Sequence, residues 1–120
     1  MFEVSEERFG EMVDDALAAI PPDLAKRMDN VAIFVEDVAE RQVGGGRLLG
    51  LYEGIPLTKR SSGYGNNVVM PDKITLYRLT ICSICSSEAE VAEQVRTTLI
   101  HEVAHHFGIS DSRLKELGWA

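Results

Sequence analysis

Two histidines and a glutamate near the C-terminus have the types and the spacing of a metal-assisted hydrolytic site. His101, Glu102 and His105 form the pattern H-E-x-x-H. Residues four apart project from one face of a helix, so both imidazoles can bind one Zn²⁺ at about 2.0–2.1 Å. Glu102 lies about 100° around the helix from His101, too far to be a natural third ligand. Its place suits a general base that activates a water and passes the proton to a leaving amine.

A catalytic zinc needs a third protein ligand, and the residues after the motif offer one. The longer pattern is H-E-x-x-H-x-x-G-x-x-D, in which Gly108 permits a sharp reversal and Asp111 follows three residues later. Three protein ligands leave the fourth position open to water, which is the catalytic arrangement. Two alternatives remain: Asp111 only caps the last helix, or Glu116 is the third ligand. His106 is displaced from the histidine face and is expected to pack.

The elements that must position these residues form an α+β pattern. Ser87 and Glu90 make a capping box for a helix that nothing interrupts before Gly108, where a left-handed cap is expected. Apolar spacing and proline placement predict further helices. Alternation and β-branched residues predict three strands, the first of them an inner strand. The expected helices are 5–20, 22–28, 88–107 and 112–117, and the expected strands are 31–35, 48–52 and 73–81. A long loop is expected at 54–72, and loops of that length tend to be functional.

Composition limits the classes of protein to consider. The chain has 120 residues with 45% hydrophobic side chains, which suits one domain spanning residues 1–120. A net charge of -7 disfavours nucleic acid and membrane surfaces as partners. No apolar run is long enough to span a bilayer, and the acidic N-terminal stretch does not have the pattern of a signal peptide. Cytoplasmic localisation is therefore expected.

The two cysteines create a second pattern that competes for the histidines. Cys82 and Cys85 form C-x-x-C, and with the histidine pair they match a zinc-finger spacing. If one helix starts at Glu88, however, Cys85 and His101 are about 24 Å apart along its axis, so they cannot share a metal. A thioredoxin-like redox role is also available, but too little chain follows to complete that sheet. Two buried, inert thiols are expected.

The segment TLIHEVAHHFGISDSRLKELGW, preceded by LGLYEGIPLTKR and PDKITLYR, resembles the small bacterial zincin-like metallopeptidase family. The resemblance covers about residues 29–119. It implies a minimal zincin fold, with a small mixed sheet of three or four strands packed on helices and the zinc motif on the long C-terminal helix. It also implies that His101, His105 and Asp111 bind Zn²⁺ and that Glu102 is catalytic. The implied activity is peptidase chemistry on a peptide or unfolded protein, without a defined substrate.

The chain departs from the metzincin plan because only nine residues follow Asp111, too few for a downstream Met-turn. Met70 precedes the helix and is expected in core or loop. The strand at 73–81 either pairs with an extended peptide substrate as an edge strand or is an interior strand. Tyr77 on that strand and Tyr64 in the long loop are the candidates for polarising a carbonyl.

Two functions follow from these residues. The first is a zinc-dependent peptidase with Glu102 as general base. The alternative is a non-catalytic zinc-binding or protein-interaction module that keeps the helix and lacks a competent cleft. The two predict different effects of Glu102→Gln, which stops turnover only in the enzyme.

Overall fold

The computed structural model describes residues 1–40, 47–54 and 71–119. Within these ranges the protein has an α+β fold. We number the elements in chain order: helices α1 (Glu6–Ala18), α2 (Pro22–Ala25), α3 (Arg78–Ser83), α4 (Glu88–His106) and α5 (Asp111–Leu117), a 3₁₀ turn (Lys26–Met28), and strands β1 (Val31–Glu36), β2 (Gly50–Glu53) and β3 (Asp72–Tyr77). None of the described helices is long and apolar enough to cross a membrane. Residues 44–46, whose Gly-Gly-Gly sequence predicts a turn, and most of the expected loop at 54–72 lie outside the described residues.

The three strands form one mixed sheet in the order β1-β3-β2. β1 runs parallel to β3, and β2 runs antiparallel to it, with Tyr52 opposite Ile74. The small mixed sheet expected from the family resemblance is confirmed. β3 is the central strand, so it cannot pair with an extended peptide. The interior alternative is correct, and the edge-strand prediction for this segment is wrong.

The two longer helices cover one face of this sheet. α1 packs against α4, and α4 packs on β2 and β3. The side chains of Ile74 and Leu76 point from β3 into this core, and both are fully buried. α1 contributes four buried residues at helical spacing to this core, namely Phe9, Met12, Val13 and Ala16. This packing fixes α4, which carries the histidines, against the sheet.

The third strand is shorter than the sequence predicts. β3 ends at Tyr77, and α3 replaces the last four residues of the expected 73–81 strand. The buried guanidinium of Arg78 donates to the carbonyl of Val4 at 2.7 Å and to Asp37 Oδ1 at 2.9 Å, which ties the chain down where it turns. The break in alternation after Leu76 marks the change from strand to helix, and Ile81 is fully buried from that helix.

The first strand is also placed differently from the prediction. β1 lies at an end of the described sheet rather than inside it. Phe34 is 48% exposed, although the ammonium of Lys73 lies 5.0 Å above its ring. A run of apolar residues is typical of an inner strand, but among the described residues its second face meets only this partial cover. For the described sheet, the inner-strand prediction is therefore wrong.

Candidate functional site

The helix that carries the histidine pair is fixed by its own ends. At the N-terminus, the Ser87 hydroxyl accepts from the backbone amide of Glu90 at 3.2 Å. The Glu90 carboxylate accepts in return from the amide of Ser86 at 2.9 Å, one residue earlier than in a standard capping box. At the C-terminus, Gly108 has a φ of 75°, which confirms the predicted left-handed turn. The chain therefore reverses directly after the histidines and returns α5 toward them.

The two histidines lie side by side on α4. Their ring centroids are 5.7 Å apart with an interplanar angle of 35°. Leu99, Ile100 and Val103, which lie on the opposite side of the helix, are buried. The core therefore holds one side of α4, and the histidine pair faces the cleft described below.

Asp111 joins this pair across the reversal. Its Oδ1 lies 3.0 Å from His105 Nε2, and this hydrogen bond lowers the pKa of the Asp111 carboxyl below its ordinary value. The N-cap of α5 is Ser110, whose hydroxyl accepts from the amide of Arg113. Asp111 is thus not the cap, and the interpretation of Asp111 as a simple helix cap is wrong. Glu116 bonds Arg113 at 2.9 Å on the exposed surface and does not join the histidines.

A cleft of about 240 Å³ opens beside the histidines. One wall is α4, and the other is the chain that enters and begins β2. The lining residues are Arg47, Leu48, Leu49, Gly50, Gln94, Thr97, Thr98, His101, Glu102 and His105. The cleft therefore combines an apolar wall with two imidazoles, one carboxylate and one guanidinium.

Glu102 is half-buried in the cleft. Its Oε1 accepts from the backbone amide of Tyr52 at 3.2 Å. Burial raises the pKa of the Glu102 carboxyl, while the Tyr52 amide and the charges of His105 and His101 act in the opposite direction. The net direction is upward. A carboxylate with a raised pKa is a stronger base, which suits proton transfer near neutral pH.

Of the two tyrosines predicted to polarise a carbonyl, Tyr77 lies away from the cleft. Tyr77 alternates with the core residues Ile74 and Leu76 along β3, so it points to the opposite face of the sheet. There it lines a separate cavity of about 470 Å³ with Glu36 and Glu53. Burial raises the pKa of the Tyr77 hydroxyl, with Glu36 adding to the effect. Tyr64 and Met70 lie outside the described residues.

The chemical types of His101, His105 and Asp111 suit Zn²⁺. Two imidazole nitrogens and one carboxylate oxygen are ordinary zinc ligands, and three such ligands leave a position open. The side-chain arrangement is not yet that of a metal site: across the described ranges, no group of three or more His, Cys, Asp or Glu side chains is placed to hold a metal ion. His105 Nε2 and Asp111 Oδ1 are the atoms that would ligate a metal, and here they are hydrogen-bonded to each other. These side chains must therefore separate and re-aim for binding.

The two cysteines do not line this cleft. Cys82 lies in α3 and Cys85 just after it, and both are buried and unbridged. The prediction of buried thiols is confirmed. Since the helix from Glu88 onward is continuous, the zinc-finger alternative fails for the reason anticipated from the sequence.

The sequence patterns did not identify Tyr52 or Asp72 as part of this region. Tyr52 stacks on His106 with ring centroids 3.8 Å apart and 15° between the planes. The Tyr52 hydroxyl donates to Asp72 Oδ2 at 2.8 Å. His106 therefore packs, as expected, but its partner is 54 positions away in the sequence. No local spacing signals such a contact, although Tyr52 and Asp72 both belong to the segments that carry the family resemblance.

Comparisons with known proteins bear on the family and the fold. A family model described as zincin-like metallopeptidase matches residues 28–119. Among solved structures, a conserved hypothetical protein from Thermus thermophilus aligns with a TM-score of 0.57 and 24% sequence identity. The alignment covers 86% of this chain and 94% of that one. At this identity the likeness concerns the fold alone. A search of curated proteins finds no match.

Proposed function

Since the chain belongs to the zincin-like metallopeptidase family, we propose that it is a zinc-dependent peptidase. The observation that carries the proposal is the convergence of four side chains at one end of α4. His101, Glu102 and His105 line one cleft, and Asp111 reaches His105 from the next helix. The substrate class that suits this site is a peptide or an unfolded protein segment.

The roles follow from the position of each group. His101, His105 and Asp111 would hold the zinc. Bound zinc supplies Lewis acidity, which polarises the substrate carbonyl and makes an attacking water more acidic. Glu102 is separate from these ligands because its carboxylate is bonded to the Tyr52 amide. It accepts the proton of the water and then donates it to the departing amine nitrogen.

The rest of the cleft bears on the substrate. Leu48 and Leu49 offer an apolar wall on one side, and Arg47 places a positive charge at the same wall. The volume of about 240 Å³ is small for an enclosed pocket, so few substrate side chains would be held. A short or extended segment therefore suits the cleft better than a folded protein surface.

A second candidate is a non-catalytic zinc-binding or interaction module. The direct bond between His105 and Asp111 favours the protein-interaction form of this module, since the bond competes with a metal for both groups. The two functions differ in the role of Glu102. A binding module needs only the ligands, whereas a peptidase needs the base as well.

The first experiment measures metal per chain by elemental analysis of protein purified without a histidine tag and without added metal. We expect close to one zinc in the wild type and in Glu102→Gln, and almost none in His101→Ala. Hydrolysis of a peptide library is then expected for the wild type, with turnover reduced by about 10² or more in Glu102→Gln. Glu116→Gln is the matched control, since that glutamate lies on the surface of α5.

The outcomes separate the two functions. Zinc that binds normally without any hydrolysis, in both the wild type and Glu102→Gln, would establish the binding module. A wild-type protein that neither retains zinc nor takes it up on dialysis would contradict the peptidase and the zinc-binding module, and would leave the protein-interaction module.

A further inference from the structure

The contact between β2 and α4 carries an inference beyond the zinc ligands and the base. Glu102 has a long side chain with several rotatable bonds, and its carboxylate must face the cleft to act as a base. The backbone amide of Tyr52 donates to its Oε1 at 3.2 Å. We propose that Tyr52 is a positioning residue for Glu102 and that its side chain sets this amide in place. The inference rests on the proposed peptidase function.

The Tyr52 side chain is held at both its face and its tip. The ring face stacks on His106 at a centroid distance of 3.8 Å. The hydroxyl at the tip donates to Asp72 Oδ2 at 2.8 Å. Asp72 is only 9% exposed, and its Oδ2 also lies 3.8 Å from His106 Nε2. The tyrosine is therefore fixed between the start of β3 and the end of α4.

The stack on His106 and the bond to Asp72 hold the side chain of Tyr52, the residue whose backbone amide donates to Glu102. Only the Cα–Cβ bond separates the held side chain from the Tyr52 backbone, so the position of the ring restricts the position of the amide. His106 and Glu102 both belong to α4, four residues apart, and therefore lie on neighbouring turns. The stack on His106 and the bond to Glu102 thus join β2 to α4 at two adjacent points.

Two glycines allow the approach. A Cβ at Gly50 would lie 2.8 Å from Thr98 Cγ2 on α4, closer than real Cβ atoms come. A Cβ at Gly54 would lie 3.1 Å from His106 Cε1. The strand that presents the amide is thus flanked by residues without side chains where it meets the helix. A hydrogen bond at this place favours a single orientation of the Glu102 carboxylate.

The test compares Tyr52→Phe, which loses only the hydroxyl, with Tyr52→Leu, which also loses the ring stack. Tyr77→Phe is the matched control, since it removes a hydroxyl from a buried tyrosine on the other face of the sheet. Zinc content, kcat and KM are measured for each variant. We expect unchanged zinc content and KM, with kcat lowered by about tenfold in Tyr52→Phe and by about 10² in Tyr52→Leu. A loss of folded protein would lower the zinc content together with kcat, so a lower kcat at unchanged zinc content separates positioning from stability.

A second readout needs no activity. In metal-free protein labelled with ¹³C at glutamate carboxyls, the Glu102 resonance is assigned by its absence from Glu102→Gln. At one fixed pH we expect this resonance to shift in both Tyr52 variants and to stay in place in Tyr77→Phe. Tyr52→Phe keeps the test open if Tyr52→Leu does not fold, because it retains the aromatic ring.

The results distinguish this inference from the proposed function. If the wild type has no metal-dependent hydrolysis, the peptidase proposal fails, and the inference fails with it as a statement about catalysis; the carboxyl resonance then reports only whether the contact exists. If the wild type is active, an unchanged kcat in Tyr52→Phe and in every folded Tyr52 variant overturns the positioning role. An unchanged Glu102 resonance in those variants overturns it as well.

Discussion

Asp111 and Ser110 are adjacent at the start of α5, and the structure gives them separate tasks. The Ser110 hydroxyl caps the helix through the amide of Arg113, whereas the Asp111 carboxylate faces His105. We predict that Asp111→Ala leaves the thermal unfolding of metal-free protein nearly unchanged but weakens zinc binding, which a competition titration with a chromogenic chelator measures. Ser110→Ala is predicted to do the reverse, with a loss of about 1 kcal/mol in unfolding free energy.

The paired design makes the result decisive. Equal zinc affinity in the wild type and in Asp111→Ala would remove Asp111 from the ligand set. A drop in stability for Asp111→Ala as large as that for Ser110→Ala would show that the carboxylate has a structural role that the contacts do not reveal.

The buried thiol of Cys85 leads to a prediction about cysteine reactivity. Burial raises the pKa of its thiol, with smaller contributions from Glu90 and Cys82. A raised pKa means less thiolate at pH 8, and the thiolate is the species that reacts. We predict that Ellman's reagent modifies neither Cys82 nor Cys85 in the native protein at pH 8, and both after denaturation. Ile84 between them is 54% exposed, so Ile84→Cys provides a thiol expected to react at once. Rapid native reaction of the wild type would contradict the prediction.

At the residue scale, the sequence locates what lies close together in the chain. His101, Glu102 and His105 follow from helical spacing, and Asp111 follows from the reversal at Gly108. Tyr52 and Asp72 do not, because they meet α4 through the pairing of β2 with β3 rather than through any local pattern. Tyr77 was a natural candidate by residue type, but the alternation of side chains along β3 places it on the other face.

At the scale of elements, the errors of sequence prediction have a common cause. Apolar runs predict burial without saying which neighbour supplies it. The apolar run of β1 lies at an end of the described sheet, and the expected 73–81 strand becomes a helix after Tyr77. The long helix is predicted well, since its cap, its apolar face and its terminal glycine are all local. Tertiary pairing decides the rest.

The closeness of β2 to α4 depends on Gly50. We predict that Gly50→Ala lowers the unfolding free energy by about 1–3 kcal/mol, because the added methyl meets Thr98 Cγ2 at 2.8 Å and the Thr75 carbonyl oxygen at 3.3 Å. Chemical denaturation of metal-free protein measures the loss. The strand should also move from the helix, which would shift the Tyr52 amide resonance in a ¹H–¹⁵N spectrum.

Gly10 offers the control for this substitution. It lies within α1, and a Cβ there would meet nothing within 4 Å. Gly10→Ala is therefore expected to stabilise the protein by about 0.5–1 kcal/mol through helix propensity. A Gly50→Ala variant as stable as the wild type would show that β2 and α4 have room to separate at no cost.

At the scale of the whole molecule, the site joins distant parts of the chain. The proposed zinc ligands come from α4 and α5, the backbone amide that donates to Glu102 comes from β2, and Asp72, which holds the Tyr52 hydroxyl, comes from β3. In the unfolded chain these groups are not held together, so the folded state should bind zinc more tightly than the unfolded state does. Zinc binding and folding are then thermodynamically linked.

This linkage gives the last prediction. At a free zinc concentration about 100-fold above the dissociation constant, the unfolding free energy should rise by about 2.7 kcal/mol. Differential scanning calorimetry should show a higher melting temperature with zinc and a return on adding a chelator. Glu102→Gln should keep this increase, since Glu102 is not among the proposed ligands, while His101→Ala should lose it. An increase that survives in His101→Ala would place the bound zinc elsewhere on the chain, and its absence from the wild type would mean that the His105–Asp111 contact is not displaced by metal.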